Sequence, residues 1–96
     1  MCYTCWVRFE WDPAKAAANA SKHGITFEEA AECFTDPMAL VLDEPRHTDR
    51  LILIGVSTRT KVIFTVYVHR TPAVIRIISA RRATRREQVA YEQGDE

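Results

Sequence analysis

Three runs rich in β-branched residues, 51–56, 62–68 and 74–79, are separated by breaks of only five residues each. Breaks this short join antiparallel neighbours, whereas a parallel crossover needs a dozen residues or more. The second half is therefore expected to form an antiparallel meander. Residues 38–42 (Met38-Ala39-Leu40-Val41-Leu42) read as a further, buried strand, and the polar stretch 43–49, which contains Pro45, as a loop. Near the start, Val7, Phe9 and Trp11 alternate with Arg8 and Glu10, the period of a strand with one buried face.

Between these strands the signals are helical. Asp12-Pro13 offers an N-cap followed by proline at the first helical position, and Gly24 is placed to end that helix in the left-handed conformation. Thr26-Phe27-Glu28-Glu29 fits a capping box, and Phe27, Ala30, Ala31 and Phe34 follow at helical spacing before Asp36-Pro37. Thr84-Arg85-Arg86-Glu87 is a second capping box, predicting a last helix over 85–92. The expected order is β-α-α-β-β-β-β-α. That is an α+β fold in one domain spanning 1–96, an antiparallel sheet with two N-terminal helices and one C-terminal helix.

The net charge of zero conceals a division. Residues 1–45 carry three basic and eight acidic side chains, whereas 46–91 carry ten basic residues, nine of them arginine, against Asp49 and Glu87. Arginine presents a planar fork that suits phosphate, so the second half is suited to an anionic partner, nucleic acid first. No apolar run is long enough to span a bilayer and the N-terminus does not resemble a signal peptide, so a cytoplasmic location is expected.

The densest feature is Arg81-Arg82-Ala83-Thr84-Arg85-Arg86, expected in the turn leading into the last helix. A helix N-terminus disfavours cations, so the cluster implies either a bound phosphate or pairing with Glu87 or the acidic first half. Arg76 projects from an otherwise apolar strand face. Lys61, Ile63, Thr65, Tyr67 and His69 share a mixed face, which suits either a binding surface or a half-solvated sheet. Tyr91 either stacks on a base or anchors the last helix. Cys2 and Cys5 form a Cys-x-x-Cys pair with no second pair, and His23, His47 and His69 do not complete a zinc set, so no metal or cofactor is expected.

Taken together, Phe9-Glu10-Trp11-Asp12-Pro13, Lys15, Asn19, Lys22-His23-Gly24-Ile25-Thr26-Phe27-Glu28-Glu29-Ala30, Phe34 and Asp36-Pro37 resemble the opening of the BrnT family of toxins. Ile75-Arg76-Ile77-Ile78-Ser79-Ala80-Arg81-Arg82-Ala83, with Glu87 and Tyr91, resembles its ending. The resemblance implies a RelE-like fold, ribonuclease activity without a metal, and neutralisation by a BrnA antitoxin that binds operator DNA through a ribbon-helix-helix domain. In such ribonucleases the ribose 2′-OH attacks the adjacent phosphate and charged side chains stabilise the transition state. By that implication Arg50, Arg76, Arg81 and Arg82 are catalytic candidates, and Arg85, Arg86, Tyr67 and His69 are RNA contacts. The general base is open among His47, His69 and Tyr91. The other reading is a non-catalytic nucleic-acid-binding module or repressor subunit using the same basic patch.

Overall fold

A computed structural model describes residues 7–59 and 61–93. The Cys2–Cys5 pair lies outside the described residues. The elements follow the expected order: β1 (Arg8–Glu10), α1 (Pro13–His23), α2 (Phe27–Glu32) with a 3-10 turn at Cys33–Thr35, β2 (Leu40–Asp43), β3 (Leu51–Val56), β4 (Val62–Thr71), β5 (Val74–Arg82) and α3 (Arg85–Gln93). They form a five-stranded sheet in the order β1-β5-β4-β3-β2. The pairs from β2 through β5 are antiparallel. Among the described strands β1 alone pairs in parallel, on β5, with Glu10 opposite Arg76; two helices and the strands β2, β3 and β4 lie between them in the chain.

Local chemistry sets the helix ends. The Asp12 carboxylate accepts from the Ala14 amide at 2.9 Å, Pro13 opens α1, and Gly24 closes it at φ 71°. The Thr84 box is reciprocal: Glu87 N–H donates to Thr84 Oγ1 and Thr84 N–H to Glu87 Oε1. The Thr26 box is made in one direction only. Thr26 Oγ1 accepts from Glu29 N–H, but the buried Glu29 carboxylate accepts from the Ser57 hydroxyl at 3.1 Å and faces Lys61 Nζ at 3.9 Å. It thereby ties α2 to the β3–β4 turn.

The sheet has two unequal faces. On the first, α1 and α2 cover Leu53, Ile63, Tyr67, Ile75, Ile77 and Ala80, together with Ile25, Phe27 and Phe34. Asn19 fastens α1 to β5 by donating to the Ala80 carbonyl at 2.7 Å and accepting the Ala80 amide at 3.1 Å. On the second face, α3 brings Ala90 and Tyr91 onto Leu40, Ile52, Ile54, Val62, Phe64 and Val66.

Three expectations about the strands are corrected. The 38–42 run is an edge rather than a buried strand: among the described strands β2 pairs with β3 alone, Met38 is 68% exposed, and Val41 and Leu42 are exposed too. β5 continues through Arg82, so Arg81 and Arg82 lie in the strand and not in the turn. Ile78 forms a bulge, since Ile77 pairs with Tyr67 and Ser79 with Val66. The bulge shifts the alternation by one residue and puts Ala80, not Ser79, on the helix-covered face.

Candidate active site on the open sheet face

Because side chains alternate along a strand, the register defines rows across the second face. One row joins Leu40, Ile54, Phe64 and Arg81, and the next joins Leu42, Ile52, Val66 and Ser79. A third contains Val68, Arg76 and Glu10. Arg50 extends this row: it precedes Ile52 by two positions, and its carbonyl accepts from Glu44 N–H, which continues the β2–β3 ladder. α3 lies over the first row, and among the described residues no helix packs over the Arg50–Arg76 end of the face. At about 3.3 Å per residue, roughly 15 Å of strand separates Arg76 from Arg81.

At the α3 end, Arg81 forks onto Glu87 through two bonds of 2.8 and 2.9 Å, and its guanidinium lies 4.0 Å from the Phe64 ring centroid. The paired carboxylate raises the guanidinium's already high pKa, and the arginine in turn draws the Glu87 carboxyl below its ordinary range against the opposing effect of burial. Of the readings offered by the arginine cluster, pairing with Glu87 is therefore what Arg81 does.

At the other end, a single oxygen, Oε2 of Glu10, accepts from both Arg70 and Arg76 at 3.1 Å. One carboxylate between two guanidiniums leaves this corner positive. His47 stands in the β2–β3 turn, next to Arg50 at the far end of the same row. Its carbonyl accepts from Arg50 N–H, and its Nδ1 lies 3.1 Å from Glu44 Oε1, leaving Nε2 to exchange a proton with a ligand. The His47 imidazole and two backbone N–H groups draw the Glu44 carboxyl below its ordinary range.

Other candidates fall elsewhere. Tyr67 is wholly buried under the helices, with its ring against Phe34, so it cannot stack on a base. His69 is exposed but shares that covered side, in edge contact with Tyr67. Arg82 lies opposite Ile63 in the register, pointing away from Arg81 across the sheet. Arg85 and Arg86 are exposed in the first turn of α3. Tyr91 is an anchor: its hydroxyl donates to Asp36 at 2.6 Å. Burial, followed by that bond to Asp36, pushes the phenol up to about 12, which removes Tyr91 from the general-base candidates at neutral pH.

Glu10 and Glu87 hold the candidate arginines Arg76 and Arg81, and Arg70 shares the Glu10 oxygen. Glu10 carried a signal in its lone acidic position among outward-facing residues of β1, but its partners are 60 and 66 positions away. Among the described residues, no three His, Cys, Asp or Glu side chains converge as metal ligands.

The family described as "Ribonuclease toxin, BrnT, of type II toxin-antitoxin system" matches residues 11–87. The chain belongs to the BrnT family of ribonuclease toxins. The matched span of this BrnT-family chain holds Arg50, Arg70, Arg76, Arg81 and Glu87 and stops short of Tyr91. The crystal structure of the Brucella abortus ribonuclease toxin BrnT is similar, with a TM-score of 0.67 and 26% identity over 82% of this chain and 99% of that one. No curated protein matches. The BrnT assignment makes this chain the toxin of a type II toxin–antitoxin pair, with an antitoxin as its partner.

Proposed function

We propose that this toxin cleaves RNA on the open sheet face by a metal-independent, RelE-like transesterification. The observation that carries the reading is a set of arginines on one sheet face, Arg50 and Arg76 at the end away from α3 and Arg81 beside that helix, with a carboxylate-oriented imidazole next to Arg50. The substrate's 2′-oxygen attacks the neighbouring phosphorus while His47 Nε2 accepts the 2′ proton. The bond from phosphorus to the 5′ oxygen breaks, and the departing oxygen takes a proton from water. Arg50 and Arg76 hold the phosphate oxygens as charge accumulates. Arg81, Arg85 and Arg86 receive phosphates further along the strand.

The antitoxin proposed is of the BrnA type, a ribbon-helix-helix protein that binds operator DNA as part of the complex and covers the arginine face. The cytoplasm, where its RNA substrate lies, is the proposed compartment.

His47→Ala tests the assignment. It should lower cleavage by about 10²–10⁴ and relieve growth arrest, with an unchanged melting curve. Full cleavage by that variant would remove His47 from the mechanism. RNA bound by the parent protein without turnover would instead favour a binding module.

A further inference from the structure

We propose a second RNA-backbone site in the groove between α1 and the outer edge of β5, on which a single strand leaving the arginine face continues. The inference rests on the ribonuclease reading and extends it to the length of RNA engaged.

The groove has a volume of about 330 Å³ and is lined by Lys15, Ala18, Asn19, Lys22, His23, Ile78 and Ser79. Lys15 and Lys22 are seven positions apart on α1, close to two helical turns, so they stand on one side about 10 Å apart along the axis. Both are exposed, and no carboxylate among the described residues lies within ion-pair distance of either. Lys22 is at home near the C-terminus of a helix, but Lys15 is not at home in the first turn. That turn contains no acidic residue, and the Asp12 carboxylate is directed at the Ala14 amide. An uncompensated lysine in an unfavourable dipole, within an otherwise acidic half of the chain, fits an anion arriving from outside.

Ser79 both lines the groove and belongs to the sheet face that carries the arginines. This residue lies in the open-face row with Val66, while its backbone neighbour Ile78 bulges at the strand edge. A peptide adding itself as a strand fits less well. β1 already pairs with 74–76, and Asn19 occupies both backbone groups of Ala80. The edge left between them is shorter than a stable strand needs. A phosphodiester chain needs cations and room, not a ladder, and the groove offers both.

The test compares the parent with Lys15→Glu/Lys22→Glu, and with the milder Lys15→Gln/Lys22→Gln, after melting curves establish that each is folded. Binding is measured with 2′-O-methyl oligonucleotides, which resist cleavage, at several lengths and salt concentrations. The account expects at least a tenfold weaker Kd for long oligonucleotides in the Glu pair, and a smaller loss in the Gln pair. The slope of log K against log salt should fall by about 1.4, since each phosphate contact on a single strand contributes about 0.7. The shortest cleavable substrates should turn over as in the parent. A parent that cleaves RNA, with variants that bind every length equally well, overturns this site and leaves the ribonuclease reading intact. Loss of antitoxin affinity with unchanged RNA binding also overturns it and assigns the groove to a protein. A parent that neither binds nor cleaves RNA sinks both.

Discussion

Arg81 on β5 and Glu87 on α3 are joined by a two-pronged ion pair, and the same carboxylate accepts the Thr84 amide that opens the helix. One arginine thus links the sheet face to the position of α3. Arg81→Ala should lower RNA cleavage by about tenfold, through weaker binding of the phosphates further along the strand. The fold should persist, because Glu87 keeps its capping bond. A half-exposed pair is worth at most about 1 kcal/mol, which corresponds to a melting temperature lower by about 4–8 °C. Arg81→Lys should rescue only in part, since an ammonium cannot make both bonds of the fork. Arg59→Ala in the β3–β4 turn is the control and should remain toxic. Parent-level growth arrest by Arg81→Ala, or loss of toxicity through unfolding alone, contradicts the assignment.

Tyr91→Phe separates anchoring from chemistry. The Tyr91–Asp36 bond joins α3 to the segment before β2, where Asp36 also accepts the amides of Met38 and Val56. The variant should melt earlier and cleave RNA nearly as the parent does at a permissive temperature. A hundredfold loss of cleavage without a change in melting would restore Tyr91 to the chemistry.

The same contacts set a pH window for α3. Burial opposes ionisation of Asp36, but its bonds from Tyr91, Val56 and Met38 prevail and lower its pKa; Glu87 is lowered by Arg81. Both carboxylates therefore contribute stability above their ordinary values of 3.8 and 4.5, and lose it as the pH falls through their lower folded values. Tyr91 is shifted upward, so its contribution is complete below pH 10 and is lost as the pH rises towards about 12. Thermal melts across pH should show Glu87→Gln flattening the acid limb and Tyr91→Phe the alkaline one. Limbs identical to the parent's would contradict these couplings.

Glu10 restrains Arg70 and Arg76 through a single oxygen. Glu10→Gln removes the negative charge from that corner. Binding of an uncleavable RNA should tighten several-fold and depend more steeply on salt, while turnover falls because Arg76 loses its fixed position. Weaker RNA binding by a folded Glu10→Gln protein would show that the carboxylate does not compete with phosphate.

Signals confined to a few residues were legible in the sequence. Asp12-Pro13, Gly24 and Thr84 with Glu87 each mark an element end through bonds made within one turn, and the structure uses all of them. The β-branched runs likewise located three strands, though β4 and β5 both run three residues further than expected. Edge position was not legible: residues 38–42 have the apolar character of a core strand, and the strand order leaves Met38, Val41 and Leu42 exposed while Leu40 stays buried. Nor was the Ile78 bulge, which decides that Ser79 and Arg81 share the open face. Tyr67 was misplaced because a mixed face can be solvated or can lie under helices, and periodicity alone does not distinguish the two. Glu10 and Arg76 meet only because β1 docks parallel to β5, a long-range pairing with no local signal.

The most direct test of the central claim is cleavage of a defined RNA by the purified toxin in excess chelator, with the product ends identified. Transesterification on the arginine face predicts undiminished cleavage, 2′,3′-cyclic phosphate and 5′-hydroxyl ends, and no cut at a 2′-deoxy position. Activity abolished by chelator and restored by a divalent ion, or cleavage at the 2′-deoxy position, would contradict it.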